Sequence, residues 1–346
     1  MKVLILGGTR FIGKEVVRQM VSAGHEVILF NRGISNSPTG CRLIRGDIQN
    51  LTSYRKEILG INPEVVIHCI AYTKKHAEDC VEVFKGSNAH IVVLSSMDCY
   101  DSFQAVVRGQ ESSDFPVDEC MPTTKILHYW KGSTHEGSEE YDKNLMTNVF
   151  QEAFAKGWIK STILRLPMVY GPNDYQFENR HGNIIKRILD KRREYIISSL
   201  EQGQIATHGY IENIGAAVVH ACENSTVVGN IYNIGETKVR TRRRWAELYA
   251  KASGWEFEFE VLPPEILTDN PSYRNRPAQV LIYDCSLFQK HTQFESPVSL
   301  DEGILKTFEY GQRFPDRLGP IPNYDKEAKL LAQYRIAIDG LRETAK

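Results

Sequence analysis

The sequence has no apolar run approaching the ~20 residues that a membrane-spanning helix needs. It has no excess of either charge: 42 Lys and Arg stand against 43 Asp and Glu, a net charge of -1. Such a chain lacks the global basic field that gathers phosphates, which argues against a nucleic-acid or membrane-surface binder driven by counterion release. Cysteine is sparse and scattered. The seven residues (41, 69, 80, 99, 120, 222 and 285) are odd in number and form no C-x-x-C pair, so reduced thiols in a cytoplasmic protein are expected rather than a disulfide framework or zinc site. No set of residues with metal-ligand spacing stands out, and no metal is expected. Fixed-period repeats and low-complexity tracts are also absent. Met1–Gly8 runs straight into a glycine loop with no small-residue cleavage site, which is the expectation for a chain without a secretory signal.

What is present is ordinary globular composition, 42% hydrophobic and 25% charged over 346 residues, enough for two domains or one large elaborated one. Short apolar runs alternate with amphipathic stretches. Val3–Leu6, Glu26–Phe30, Glu64–His68, His90–Leu94 and Ser161–Leu166 read as strands. Phe11–Ser22, Lys74–Phe84 and about Tyr141–Lys156 read as helices, with apolar residues at helical spacing. Strand–helix alternation predicts parallel βαβ units stacked into a doubly wound, Rossmann-type α/β sheet. After Pro172 the rhythm breaks into isolated helices (183–190, 211–222, 241–253, 300–310), short β pieces and Pro-rich turns. The expected division is a dinucleotide-binding domain over 1–172 and a smaller substrate lobe over 173–346, with some segments returning to the main sheet. The tail from Tyr324 predicts a docked helix.

The strongest local signal is Gly7-Gly8-Thr9-Arg10-Phe11-Ile12-Gly13, between the first strand and the first helix. Small residues there let the backbone approach a pyrophosphate, and the helix N-terminus faces that phosphate.

This segment resembles the glycine motif of the extended short-chain dehydrogenase/reductase family, which contains nucleotide-sugar epimerases and dehydratases, with the middle glycine replaced by Arg10. Its spelling is similar to a divergent branch that includes plastid stem-loop RNA-binding proteins. Further landmarks follow in order. Gly46-Asp47-Ile48 resembles the adenine-contacting segment, and Val65–Ala71 the fourth-strand segment. Ser95–Tyr100 is similar to the active-site serine strand, and Leu164–Pro172, with Pro167 and Val169, to the loop that covers the nicotinamide. His208–Ile214, Tyr232–Gly235 and Ser299–Gly303 match the family's later landmarks. The resemblance implies an NAD or NADP cofactor held by Gly7, Thr9, Arg10, Phe11, Ile12, Gly13, Asn31, Arg32, Asp47, Ile48, Ala71, Lys143, Pro167 and Val169. It also implies a small-molecule substrate and a possible homodimer.

An acidic residue at the end of the second strand bonds the ribose hydroxyls in NAD-selective sites and repels a 2′-phosphate. Here that strand ends Phe30-Asn31-Arg32, so NADP is the preferred expectation, with Arg32 and Arg10 as phosphate contacts.

Family chemistry implies a tyrosine, a lysine four residues later on the same helix face, and a Ser or Thr hydroxyl. Ser96 falls at the hydroxyl position and Lys143 at the lysine position, but Glu139 stands four residues before it. Tyr141 is two residues away, about 200° around a regular helix. Three readings stay open: Tyr141 works from an irregular backbone, Glu139 works as the base, or redox chemistry has been lost. On the substrate side Tyr100, His208 (where the family carries an arginine) and Arg276 are the implied contacts. The leading function is an NAD(P)-dependent oxidoreductase or epimerase/dehydratase acting on a nucleotide-sugar or similar polar substrate. The alternative is a catalytically degenerate dinucleotide-binding scaffold or RNA-associated protein, for which the basic run Arg240–Arg244 is the best support.

Overall fold

The computed structural model describes residues 1–36, 38–110, 114–133, 138–176, 178–267, 280–320 and 322–344. In chain order its strands are β1 (Lys2–Leu6), β2 (Glu26–Asn31), β3 (Cys41–Arg45), β4 (Val65–His68), β5 (His90–Ser96), β6 (Lys160–Leu166), β7 (Met168–Tyr170), β8 (Glu194–Ser198), β9 (Ile205–Ala206), β10 (His208–Tyr210), β11 (Ile231–Asn233), β12 (Arg240–Thr241), β13 (Glu258–Leu262) and β14 (Val280–Leu281). The helices are α1 (Phe11–Ser22), α2 (Arg55–Gly60), α3 (Lys74–Phe84), α4 (Asp101–Val107), α5 (Lys143–Ala155), α6 (Asn183–Leu189), α7 (Ile211–Glu223), α8 (Arg242–Ser253), α9 (Ser286–Thr292), α10 (Leu300–Arg313) and α11 (Tyr324–Thr344).

Seven strands form one sheet in the order β11-β6-β5-β4-β1-β2-β3, every pair parallel. Because helices cover both faces, the central strands carry consecutive buried apolar residues, Val3–Leu6, Val65–Ile67 and Ile91–Leu94, rather than alternating ones. Val3, Ile5, Val27, Leu29, Val65 and Ile67 pack on one face with Val16, Val17 and Met20 of α1 and Ile214, Ala217 and Val218 of α7. Leu4, Leu6, Ile28, Phe30, Val66 and Ile91 pack on the other with Ala77, Cys80 and Phe84 of α3 and Met146 and Phe150 of α5. This is a Rossmann-type doubly wound sheet.

Several elements differ from the sequence expectation: α2, α4 and α9 occupy stretches where no helix is predicted, and β3 and the start of α5 differ as well. β3 lay in no predicted strand: it fully buries only Ile44, and it pairs with β2 as an edge. The helix expected from Tyr141 begins at Lys143, because the Asp142 carboxylate accepts the Asn144 and Leu145 amides and caps it there.

The later residues build smaller pieces around the carboxyl ends of the strands. β7 pairs with β10, β8 with β13, and β9 with both β12 and β14. α11 docks through Glu327, whose carboxylate accepts both Nη1 and Nη2 of the buried Arg187, and through Tyr324 O–H to Asp190 at 2.6 Å. No helix among the described residues is long and apolar enough to cross a membrane.

Candidate functional site

The glycine loop turns because Gly7 (φ +99°) and Gly8 (φ +87°) both adopt backbone angles that L side chains rarely take. A Cβ on Gly13 would lie 2.9 Å from the Cα of Gly8, so the first turn of α1 rests against the loop backbone. Arg10 is the N-cap of α1 and gives it no side-chain hydrogen bond, which leaves first-turn amides available to an anion. These features fit a dinucleotide: a close backbone approach and a helix N-terminus at the end of the first strand of a parallel sheet. Phe11 is buried and meets Tyr175 edge-on at 5.9 Å; Thr9 and Ile12 are half-buried and Arg10 is exposed.

Asn31 ties the end of β2 to this loop, its Nδ2 donating to Gly7 O at 3.3 Å and its Oδ1 accepting from Gly33 N at 2.8 Å. Arg32 is exposed beside it. The β2–β3 register sets Arg45 opposite Asn31, and a Cβ on Gly33 would be 3.0 Å from Arg45 Nε. Arg45 is thus a second cation at this corner that sequence reading missed, for the same reason that it missed β3. Half-buried Asp47 accepts from Gln49 N at 3.0 Å and so starts the turn that Ile48 opens.

Beyond the glycine loop, buried Lys143 projects from the first turn of α5 to the carboxyl ends of β4 and β5. Its Nζ donates to Ala71 O at 2.8 Å and Leu94 O at 2.9 Å, and lies 4.8 Å from the Tyr72 ring and 5.8 Å from the Tyr141 ring. Burial lowers its pKa to about 8, against the attraction of Asp98 and two thiols. Tyr141 precedes the N-cap, so the opposite-face geometry of a regular helix does not apply. Its partly buried phenol donates to Asp98 Oδ2 at 2.8 Å, and its ring stacks on Tyr72 at 6.1 Å. Burial, then the Asp98 charge, holds that phenol protonated well above the usual range. Ser96 ends β5 and its Oγ accepts from Asp98 N at 3.2 Å.

Asp98, Tyr129, Trp130 and Tyr72 surround Tyr141 and Lys143 without any flag in the sequence. Tyr129 O–H and Trp130 Nε1–H each donate to Asp98 at 3.0 Å. They come from a loop 31 and 32 residues downstream, a juxtaposition with no local sequence signal. Next to this cluster His68 is wholly buried with both ring nitrogens lacking a hydrogen-bond partner, and burial pushes its pKa down to about 3, so it is neutral.

Several expected contacts lie elsewhere. Glu139 is exposed, facing Lys131 at 4.0 Å and accepting from Gly132 N at 3.3 Å, away from Lys143. Tyr100, expected on the substrate, is fully buried: its O–H donates to Asn233 Oδ1 at 2.8 Å and its oxygen accepts from Arg165 Nη1 at 2.8 Å. It belongs to the packing beneath the site. His208 donates Nδ1–H to Ala206 O at 2.9 Å and packs its ring on Trp245 at 4.8 Å and His181 at 5.7 Å. Burial lowers its pKa to about 4, so it brings no positive charge to the place of the family's arginine. Arg276 lies outside the described residues. Pro167 and Val169 flank the start of β7, where the Val169 carbonyl accepts from Arg180. The arginines of the basic run are paired: Arg240 with Glu236, Arg242 with Glu201, and Arg243 and Arg244 sharing Glu247.

The family described as the NAD dependent epimerase/dehydratase family matches residues 3–235. The chain belongs to that family. Chloroplast stem-loop binding protein of 41 kDa b of Arabidopsis thaliana is 24% identical over 282 residues, which cover 78% of this chain and 66% of that protein. Sterol-4-alpha-carboxylate 3-dehydrogenase, decarboxylating, of Dictyostelium discoideum is 23% identical over 188 residues, 50% of this chain and 54% of that one. The chain thus spans just under two thirds of the first relative and about half of the second. Among solved structures, UDP-glucose 4-epimerase of Thermotoga maritima with UDP-glucose has a TM-score of 0.67 at 20% identity, covering 91% of this chain and 100% of that one. dTDP-glucose 4,6-dehydratase of Bacillus anthracis in complex with NAD gives 0.67 at 15% identity, covering 91% and 98%. At these identities the epimerase/dehydratase fold is what is shared.

Proposed function

We propose that this member of the epimerase/dehydratase family is an NAD(P)-dependent oxidoreductase, epimerase or dehydratase acting on a nucleotide-linked sugar or a similar polar alcohol or carbonyl compound. The observation that carries the reading is the convergence of Ser96, Tyr141 and Lys143 at the carboxyl ends of β4 and β5, despite the Tyr-x-Lys spacing. The dinucleotide, when bound, supplies a hydride acceptor or donor. Gly7, Gly8, Gly13 and the α1 amides hold its pyrophosphate. Ser96 Oγ and the Tyr141 phenol bind the reacting oxygen, and Tyr141 moves its proton. Lys143 supplies positive charge near both tyrosine rings and grips the ribose. The residues from 173 onward supply the substrate lobe, with α7 and β11 returning to the main sheet.

NADP is the preferred cofactor. Arg32 and Arg45 stand together at the end of β2, where no carboxylate is present to repel a 2′-phosphate. Cytoplasmic location and homodimerisation complete the reading.

The name of the Arabidopsis relative raises an RNA-associated role, but the carboxylate partners of Arg240–Arg244 leave that run little charge to offer phosphates. The test is a panel of UDP- and dTDP-sugars, alcohols and ketones, read by dinucleotide absorbance and by product analysis. Turnover by the wild type is expected to fall ~10²–10⁴-fold in Tyr141→Phe and to be nearly unchanged in Glu139→Gln. Turnover undiminished in a Ser96→Ala, Lys143→Met double variant would overturn the site.

A further inference from the structure

Asp98 is a meeting point. Its own turn, Met97–Cys99, is capped by Ser96, its backbone carbonyl accepts from Gln104 Nε2 at 2.9 Å, and its side chain is 9% exposed. Oδ2 accepts the Tyr141 O–H at 2.8 Å and the Trp130 Nε1–H at 3.0 Å, and Oδ1 accepts the Tyr129 O–H at 3.0 Å. Three donors converge on one carboxylate, the pattern of an acceptor-only, ionised group. The hydrogen bonds of the Lys143 ammonium go instead to the carbonyls of Ala71 and Leu94. The lysine therefore does not orient the phenol in this chain; the carboxylate does.

We infer that Asp98 is a positioning residue of the reaction, which aims the Tyr141 phenol and accepts its proton when that phenol takes one from a substrate hydroxyl. The inference rests on the enzymatic reading above. In the oxidising direction the substrate O–H bond breaks as a new O–H bond forms on Tyr141. The original Tyr141 O–H bond breaks, and its proton ends on Asp98 Oδ2. The carbon is oxidised and the dinucleotide reduced, so protons, electrons and charge balance. The reverse sequence returns the proton. A tyrosine two residues from its lysine, instead of four, keeps a proton path because its partner comes from the turn after β5 and not from the helix. The groups facing Tyr141 are Asp98, Tyr72, Tyr129, Cys99 and, across the rings, Lys143; Asp98 is the anion among them. Burial, and then the neighbouring Asp98 charge, keep the resting phenol protonated, so no standing phenolate serves as the base.

The test uses the full chain with NADP⁺ and tyrosine labelled with ¹³C at Cζ, the Tyr141 resonance being the one lost in Tyr141→Phe. Asp98→Asn keeps the size and an acceptor oxygen but removes the charge. The Tyr141 phenol is expected to titrate about 1–3 pH units lower in Asp98→Asn than in the wild type. Turnover is expected to drop ~10²-fold in Asp98→Asn, and no further when Asp98→Asn is added to Tyr141→Phe. Trp130→Phe, which removes one donor and keeps the Asp98–Tyr141 pair, is expected to cost less than about fivefold; it serves as the second variant if Asp98→Asn does not fold. An unmoved Tyr141 titration in folded Asp98→Asn overturns the inference whatever the turnover. So does a further loss in the double variant, or a loss in Trp130→Phe as large as that in Tyr141→Phe. A shifted titration with no turnover of any substrate would instead remove the enzymatic reading and leave the Tyr141–Asp98 coupling standing.

Discussion

The Cα of Gly8 lies 2.9 Å from where any side chain at Gly13 would begin. The two glycines are successive layers of one stack, loop backbone on helix backbone, and neither can give way as a flexible side chain would.

Replacing Gly13 by Val should therefore push α1 off the loop at a cost of ~1–3 kcal/mol in stability, the range for overpacking. Dinucleotide binding should be lost with it. The check is NAD(P)H fluorescence enhancement beside a denaturant melt; normal enhancement in Gly13→Val would contradict the pyrophosphate assignment.

Arg32 and Arg45 flank Gly33 at the end of β2. If they take a 2′-phosphate, each Ala variant should narrow the preference for NADP over NAD by ~1.5–3 kcal/mol, the scale of a hydrogen bond to a charged group. Calorimetric titration with both cofactors measures it, and wild-type protein that binds NAD more tightly would refute the preference.

Lys143 gives a pH signature of stability. Its folded pKa is lowered from 10.5 to about 8 by burial. Between these values the unfolded chain holds a proton that the folded chain has released, so this group's contribution to stability rises with pH through that window. Below about pH 8 the folded protein bears the full cost of the buried ammonium, on the order of 3 kcal/mol. Lys143→Met should remove the rise. The difference between wild-type and variant unfolding free energies from pH 7 to 10 is the measurement, and a flat difference would refute the buried, depressed lysine.

Tyr100 should behave as packing. Tyr100→Phe leaves Asn233 Oδ1 without the hydroxyl donor and removes one acceptor of Arg165, so a loss of ~1–3 kcal/mol in stability is expected with little change in KM. A large rise in KM at unchanged stability would restore it to the substrate site.

The central strands and the glycine loop were legible because their signals are local: runs of apolar residues, and small residues at a strand-to-helix turn. β3 was not, since Cys41–Arg45 lies at an edge and alternates too weakly to stand out from a loop. α5 starts two residues later than its hydrophobic spacing predicts, because that spacing reports the buried face of a helix and not its cap, and Asp142 caps it. That small displacement decides whether Tyr141 reaches the cleft. Asp98 was out of reach altogether. Its three partners lie 31, 32 and 43 residues away in sequence, and only the fold joins them. For Tyr100 the motif was visible, but the direction of its side chain, inward to Asn233 and Arg165, was not.

β11 has a mechanical consequence. The chain leaves the main sheet after β6, builds β7 to β10, returns through α7 to add β11 beside β6, and leaves again. The later segments are thus sewn to the sheet by three crossings rather than hung from a single hinge. A lobe stitched in this way resists swinging open as a rigid flap.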